Sequence, residues 1–179
     1  MSFDQFFQHY MRVEGGYVND PRDSGGETMN GVTILVARRY GYTGAMKHLP
    51  IETTRKIIKS LYWDKIGGDA IAKLSPKVAI KLADISVNMG VKRAGQFLQR
   101  LLNGLNNEGK IFKDIKEDGA IGKGTIQAVE ALHRFRGADG MVVLYKGLNC
   151  LQGAFYISLV EKRPKDEAFL YGWLLNRVD

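Results

Sequence analysis

From Gly15 to Gly31, glycine, asparagine, aspartate and proline crowd the chain so densely that no helix or long strand can run through it. This interval divides two segments of clear helical character. Before it, Phe3, Phe6, Phe7, Tyr10, Met11 and Glu14 recur at helical spacing, which predicts an amphipathic helix over about residues 2–14. Within and after it, Tyr17 and Val18, then Thr28 and Val32, are suited to short strands of a hairpin with an irregular tip. The fold class expected is mostly α (α+β). A small hairpin over residues 16–33 forms one wall of a cleft, and the helices after residue 75 form the other.

Beyond Thr33 the pattern is helical, with breaks expected at Gly41, Pro50, Gly67-Gly68, Gly90, Gly104, Asp118-Gly119, Gly137 and Pro164. Ser75-Pro76 is a start signal, a capping residue followed by proline at the first helical position. Later helices are expected over about 76–89, 93–103, 124–135, 141–162 and 165–175. The polar, weakly periodic segment 106–122 is the best candidate for a seam between lobes. At 179 residues and 45% hydrophobic, the chain can bury a sizeable core. No Pro/Ser linker is present, so the expectation is two regions, 1–91 and 92–179, packed as one compact body.

The net charge of +7 favours an anionic partner, but basic residues are spread over both halves without a concentrated arm. A diffuse excess suits an acidic envelope better than a phosphate-tracking groove, and no nucleic-acid reader motif accompanies it. Cys150 is the single cysteine, so no intramolecular disulfide forms. His9, His48 and His133 lack metal-ligand spacing; neither a metal nor another cofactor is expected. The start Met1-Ser2-Phe3-Asp4-Gln5 lacks the charged and apolar regions of a secretory signal, and no apolar run reaches the ~18 residues that span a bilayer. The expectation is a monomer without stable membrane insertion.

The stretch Glu14 to Thr28 places several carboxylates and a hydroxyl on a glycine-rich loop. Glycoside hydrolysis needs one carboxylic acid to protonate the leaving oxygen and a second group to attack the sugar or activate water. A glutamate ending a helix opposes the helix dipole by roughly 0.3–1 kcal/mol. Beside bulky Phe and Tyr side chains it can also be desolvated, which raises a carboxyl pKa toward the protonated form. Spacing alone leaves two other readings open: a charged surface turn, or a calcium loop, though the latter lacks the ordered Asp/Asn series ending in a bidentate Glu.

The run from Glu14 to Thr33 closely resembles glycoside hydrolase family 108, whose members carry an EGGYxNDPxDxGGxTxxGIT pattern, with Gly31-Val32-Thr33 here in place of Gly-Ile-Thr. Further matches are Tyr62-Trp63, Asp84…Asn88-Met89-Gly90, Leu98-Gln99, Asp118-Gly119-Ala120-Ile121-Gly122 and Gly172-Trp173…Asn176-Arg177-Val178. The second half resembles the peptidoglycan-binding segment that accompanies these catalytic regions. The resemblance implies a lysozyme-like fold and N-acetylmuramidase activity on peptidoglycan, with Glu14 as the catalytic acid. It also implies similarity to phage lysozymes with a Glu, Asp, Thr triad, in which Asp and Thr organise the catalytic water. Asp23 and Thr28 match those roles, although that pattern usually has one more residue before the Thr, and Asp20 competes with Asp23.

Other candidates have ordinary alternatives. Tyr17 can stack on a sugar or cover the core edge. Asn88 can bind a substrate acetamido group or act as a buried helix cap. Tyr62, Trp63 and Trp173 are read as packing residues. His133 and Cys150 fall inside predicted helices without a third orienting group, which argues against a thiol nucleophile. The competing functions are a peptidoglycan amidase or endopeptidase and a non-catalytic peptidoglycan-binding module. For the biological setting, a phage endolysin made in the host cytoplasm, reaching the wall through a holin, stands beside a secreted bacterial muramidase effector.

Overall fold

The computed structural model describes residues 2–13, 16–19 and 26–179. Glu14, Asp20 and Asp23 lie outside the described residues. The first helix, α1 (Ser2–Val13), buries Phe3, Phe6, Phe7 and Tyr10 on one face, as its periodicity requires. Three short strands follow, β1 (Tyr17–Val18), β2 (Thr28–Met29) and β3 (Val32–Thr33). They form an antiparallel sheet in chain order, with Val18 opposite Thr28 and Met29 opposite Val32. The Thr33 hydroxyl then caps α2 (Ile34–Arg39) by accepting from the Val36 amide at 3.4 Å.

Helix α3 (Ile51–Ile58) continues through a π turn over Lys59–Trp63 that delivers Trp63 into the core, fully buried. The indole stacks on Phe6 at 5.9 Å between ring centres, and its Nε1 donates to Asp69 at 2.7 Å. A large apolar body with its one donor satisfied is what a buried tryptophan needs. Asp69 belongs to α4 (Gly68–Leu74), and this bond is the main reason its carboxyl lies below the usual aspartate value.

Helix α5 (Pro76–Met89) starts at the expected signal, the Ser75 hydroxyl accepting from Val78. Its buried Val78, Ala79, Leu82, Ala83 and Ile85 form a wide apolar face beside a polar stripe of Lys77, Lys81, Asp84 and Asn88, and it packs against α1, α4, α6 and α7. A helix with so wide a buried face belongs in the centre of a bundle. Helix α6 (Val91–Leu105) buries Ala94, Gly95, Leu98, Gln99 and Leu102. It runs through Gly104, where a break was expected; one helical glycine costs only about 1 kcal/mol, and the packing of α6 outweighs it.

The two helices expected over 124–135 and 141–162 are joined in α7 (Lys123–Lys162), bent at Gly137, whose φ of 60° and ψ of −146° only glycine adopts readily. The chain ends in α8 (Glu167–Arg177). Among the described residues no helix is long and apolar enough to cross a membrane.

Segment 106–122, read from sequence as a seam, is instead laid along α6. Gln99 is 1% exposed; its Oε1 accepts from Gly119 N at 2.7 Å and its Nε2 donates to Asp118 Oδ1 at 3.1 Å and Ala120 O at 3.0 Å. One turn further on, Asn103 bonds both the Ile115 amide and the Ile115 carbonyl at 2.9 Å. Gly119 has φ of 83°, and a Cβ on Gly95 would lie 2.1 Å from the Gly119 carbonyl oxygen. Four backbone groups of the loop, at Ile115, Gly119 and Ala120, are therefore satisfied by the side chains of one helix.

Candidate functional site

The sheet and the end of α1 are fastened together at Asn30. The buried Tyr10 hydroxyl donates to the Asn30 carbonyl at 3.0 Å. Asn30 N donates to Gly16 O at 2.9 Å, and Asn30 Oδ1 accepts from Gly16 N at 3.2 Å. Asn30 is 7% exposed with φ of 51°, a left-handed conformation that asparagine tolerates better than most residues. One side chain and its backbone thus hold the chain four residues before Glu14 and two residues after it. Sequence reading had Asn30 only as a turn residue; the Asn30-Gly31 pair, a hairpin-turn signal, was the available clue.

Thr28 lies in β2, partly buried, and its hydroxyl donates to Gly26 O at 3.3 Å. Both Oγ1 lone pairs remain as acceptors. Tyr17 in β1 is 43% exposed, so it does not cover the core. Desolvation, and then the Glu27 carboxylate it hydrogen-bonds, raise its phenol above the ordinary value. Tyr17 and Thr28 therefore share one small sheet beside the end of α1. The expected partners Glu14 and Asp23, with the competitor Asp20, fall outside the described residues.

Asn88 is exposed rather than a buried cap, and its Nδ2 donates to the Asp84 carbonyl at 2.7 Å and to Asp84 Oδ1 at 3.1 Å. Its donor group thus faces its own helix. Asp84 is the hub of a polar cluster joining α5, α7 and α8. Arg177 donates to Asp84 Oδ1 at 2.8 Å and Gln152 to Oδ2 at 2.9 Å, with the Asp84 and Arg177 side chains only 12% and 14% exposed. Lys81, 5% exposed, hydrogen-bonds the Arg177 carbonyl and faces Asp179 at 3.9 Å. Burial is the main cause of its lowered pKa. The motif pieces around Asp84 and Arg177, quoted separately from the sequence, are thus one structural unit.

Trp63 packs as expected, and Trp173 does so in part: it stacks on Tyr156 at 5.0 Å and on Phe169 at 5.9 Å while remaining half-buried. His133 and Cys150 both lie on α7, Cys150 exposed. Among the described residues no group of three or more His, Cys, Asp or Glu is placed to hold a metal ion.

Residues 7–90 match the model of the glycosyl hydrolase 108 family, and residues 93–178 match that of a predicted peptidoglycan domain. The structure of Brucella abortus SagA is similar to this chain, with a TM-score of 0.62 and 25% identity, over 96% of this chain and 87% of that one. No curated protein sequence matches. The mostly helical body with its small antiparallel sheet is a lysozyme-like fold. Residues 7–90 thus form a glycosyl hydrolase 108 region and residues 93–178 a peptidoglycan domain, which together make the protein a glycoside hydrolase that acts on peptidoglycan.

Proposed function

We propose that this enzyme hydrolyses the β-1,4 bond between N-acetylmuramic acid and N-acetylglucosamine, with Glu14 as general acid and Asp23 and Thr28 as the groups that position the attacking water. The observation that carries the reading is the Asn30 clasp, which ties Tyr10, Gly16 and the β2–β3 turn around the motif that begins at Glu14. A general acid must be held against the glycosidic oxygen within hydrogen-bond reach, and the clasp fixes Tyr10 and Gly16 on either side of the motif's first residue.

In this reading Glu14 gives its proton to the bridging oxygen as the bond to the muramic acid anomeric carbon breaks. Asp23 removes a proton from a water that Thr28 also holds, and the water oxygen bonds to that carbon from the opposite face. The products are a muramic acid hemiacetal of inverted configuration and a free glucosamine hydroxyl. Inversion requires the two carboxyls to stand roughly 6.5–9.5 Å apart, leaving room for the water. Tyr17, exposed on β1, is the residue of this site available to a sugar face.

Mass spectrometry of digested, purified peptidoglycan tests the bond: muramic acid reducing ends are expected, whereas glucosamine ends or cut peptides refute it. Glu14→Gln keeps the size of the side chain but donates no catalytic proton. It is expected to lose well over tenfold of activity, and retention of a tenth, about 1.4 kcal/mol of barrier, removes Glu14 from the role. The absence of both wall hydrolysis and reducing-end formation in the wild type, with wall binding kept, selects the non-catalytic reading.

A further inference from the structure

The last turn of α1 and the whole of α8 face each other across an open groove of about 500 Å³, within the range of about 300–1,000 Å³ typical of ligand clefts. His9 and Val13 form one wall; Phe169, Trp173, Asn176 and Arg177 form the other. The first wall comes from the hydrolase region and ends at the residue before Glu14, and the second comes from the peptidoglycan domain. The groove at the bend of α7, of about 610 Å³, is lined by the peptidoglycan domain alone and does not reach α1.

The geometry points to this groove as a glycan subsite, in which α8 binds an N-acetylated hexosamine of the strand being cut, beyond the sugars at the scissile bond. This inference rests on the proposed peptidoglycan cleavage. Its chemistry is that of a saccharide site rather than a purely apolar one. Phe169 is 57% exposed and stacks at 22° on Trp173, which is backed in turn by Tyr156. The result is a rigid aromatic surface with an open face, against which the C–H face of a pyranose can lie at little cost in side-chain entropy.

Polar groups border that surface. Asn176 donates its Nδ2 to Gly172 O at 2.8 Å and keeps Oδ1 as an acceptor for an acetamido N–H. His9 offers ring nitrogens from the opposite wall. The guanidinium of Arg177 is paired with Asp84, so this wall carries no unbalanced positive charge that would select a stem-peptide carboxylate over a neutral sugar.

The chain contains two tryptophans, and Trp63 is fully buried, so a ligand-induced change in emission reports Trp173. Titration of the full-length enzyme with a hexamer of N-acetylglucosamine is expected to shift that emission saturably. Phe169→Ala, made at an exposed position and checked for an unchanged Tm, is expected to weaken the titration at least tenfold and to raise KM on long glycan strands with kcat kept. Asn176→Ala is expected to do the same more mildly. A titration unaffected by Phe169→Ala overturns the inference, as does a saturable response to a free stem peptide in place of the sugar. If the wild type cuts peptidoglycan but shows neither the emission shift nor the KM effect, the subsite falls while the proposed function stands. If the Phe169-dependent titration succeeds and no glycosidic bond is cut, the subsite stands and the proposed reaction falls.

Discussion

At the residue scale, Asn30 does two jobs that different substitutions separate. Asn30→Gly keeps the left-handed backbone but removes the acceptor for the Gly16 amide; Asn30→Asp keeps an acceptor; Asn30→Ala loses the acceptor and strains the backbone. Asn30→Ala is therefore expected to be the least stable of the three, by about 1–3 kcal/mol relative to wild type in urea denaturation. Because the clasp brackets Glu14, Asn30→Gly is expected to lower kcat several-fold with little change in KM, and Asn30→Asp to recover most of it. Equal kcat in Asn30→Gly and wild type would confine Asn30 to a structural role. This residue illustrates a limit of reading by type. Its asparagine and glycine neighbour announced a turn, but its partners, Tyr10 and Gly16, lie 20 and 14 positions away and became visible only when the sheet folded back on α1.

At the element scale, the contact between α6 and segment 106–122 depends on the absence of a side chain at Gly95. A methyl group there meets the Gly119 carbonyl at 2.1 Å, and this is backbone that cannot rotate aside. Gly95→Ala is a gain in helix propensity of about 1 kcal/mol, yet the overpacking is expected to reverse the sign, with a net loss of about 1–3 kcal/mol by thermal or chemical unfolding. Gly104→Ala, where nothing lies within 4 Å of the added carbon, is the control and is expected to be neutral or stabilising. Helical elements themselves were legible because their evidence is local: the cap at Ser75, the apolar stripes of α1 and α5, and the interruption at Gly137 all sit within a few residues of what they control. The fate of segment 106–122 was not, since its polarity looks the same whether water or Gln99 and Asn103 satisfy its backbone.

Across the whole molecule, the Asp84 cluster binds the last helix to the central one. Removing Arg177 leaves a mostly buried carboxylate without its guanidinium, with Gln152 and Asn88 still donating to it, whereas the double substitution removes both members of the pair. Arg177→Met is accordingly expected to destabilise the enzyme by about 3 kcal/mol, and the double variant Asp84→Asn, Arg177→Met by less. Strict additivity of the two substitutions in a double-mutant cycle would show that the pair contributes nothing as a pair. If α8 also forms the glycan wall, Arg177→Met should raise KM on long strands as the helix loosens, through a route distinct from Phe169→Ala, which is expected to leave stability intact.

The sequence alone determined the helix ending near Glu14, the glycine-rich hairpin after it, the helical remainder and the resemblance to family 108, because helical periodicity, turn chemistry and a contiguous motif are all encoded within short windows. Tertiary structure decided which distant groups meet: Asn30 with Tyr10 and Gly16, Gln99 with Gly119, Asp84 with Arg177 from 93 positions away, and the wall of α1 with the wall of α8. The meeting of Asp84 with Arg177 follows from packing α7, which carries α8, against α5, whose wide apolar face is buried by elements drawn from both halves of the chain.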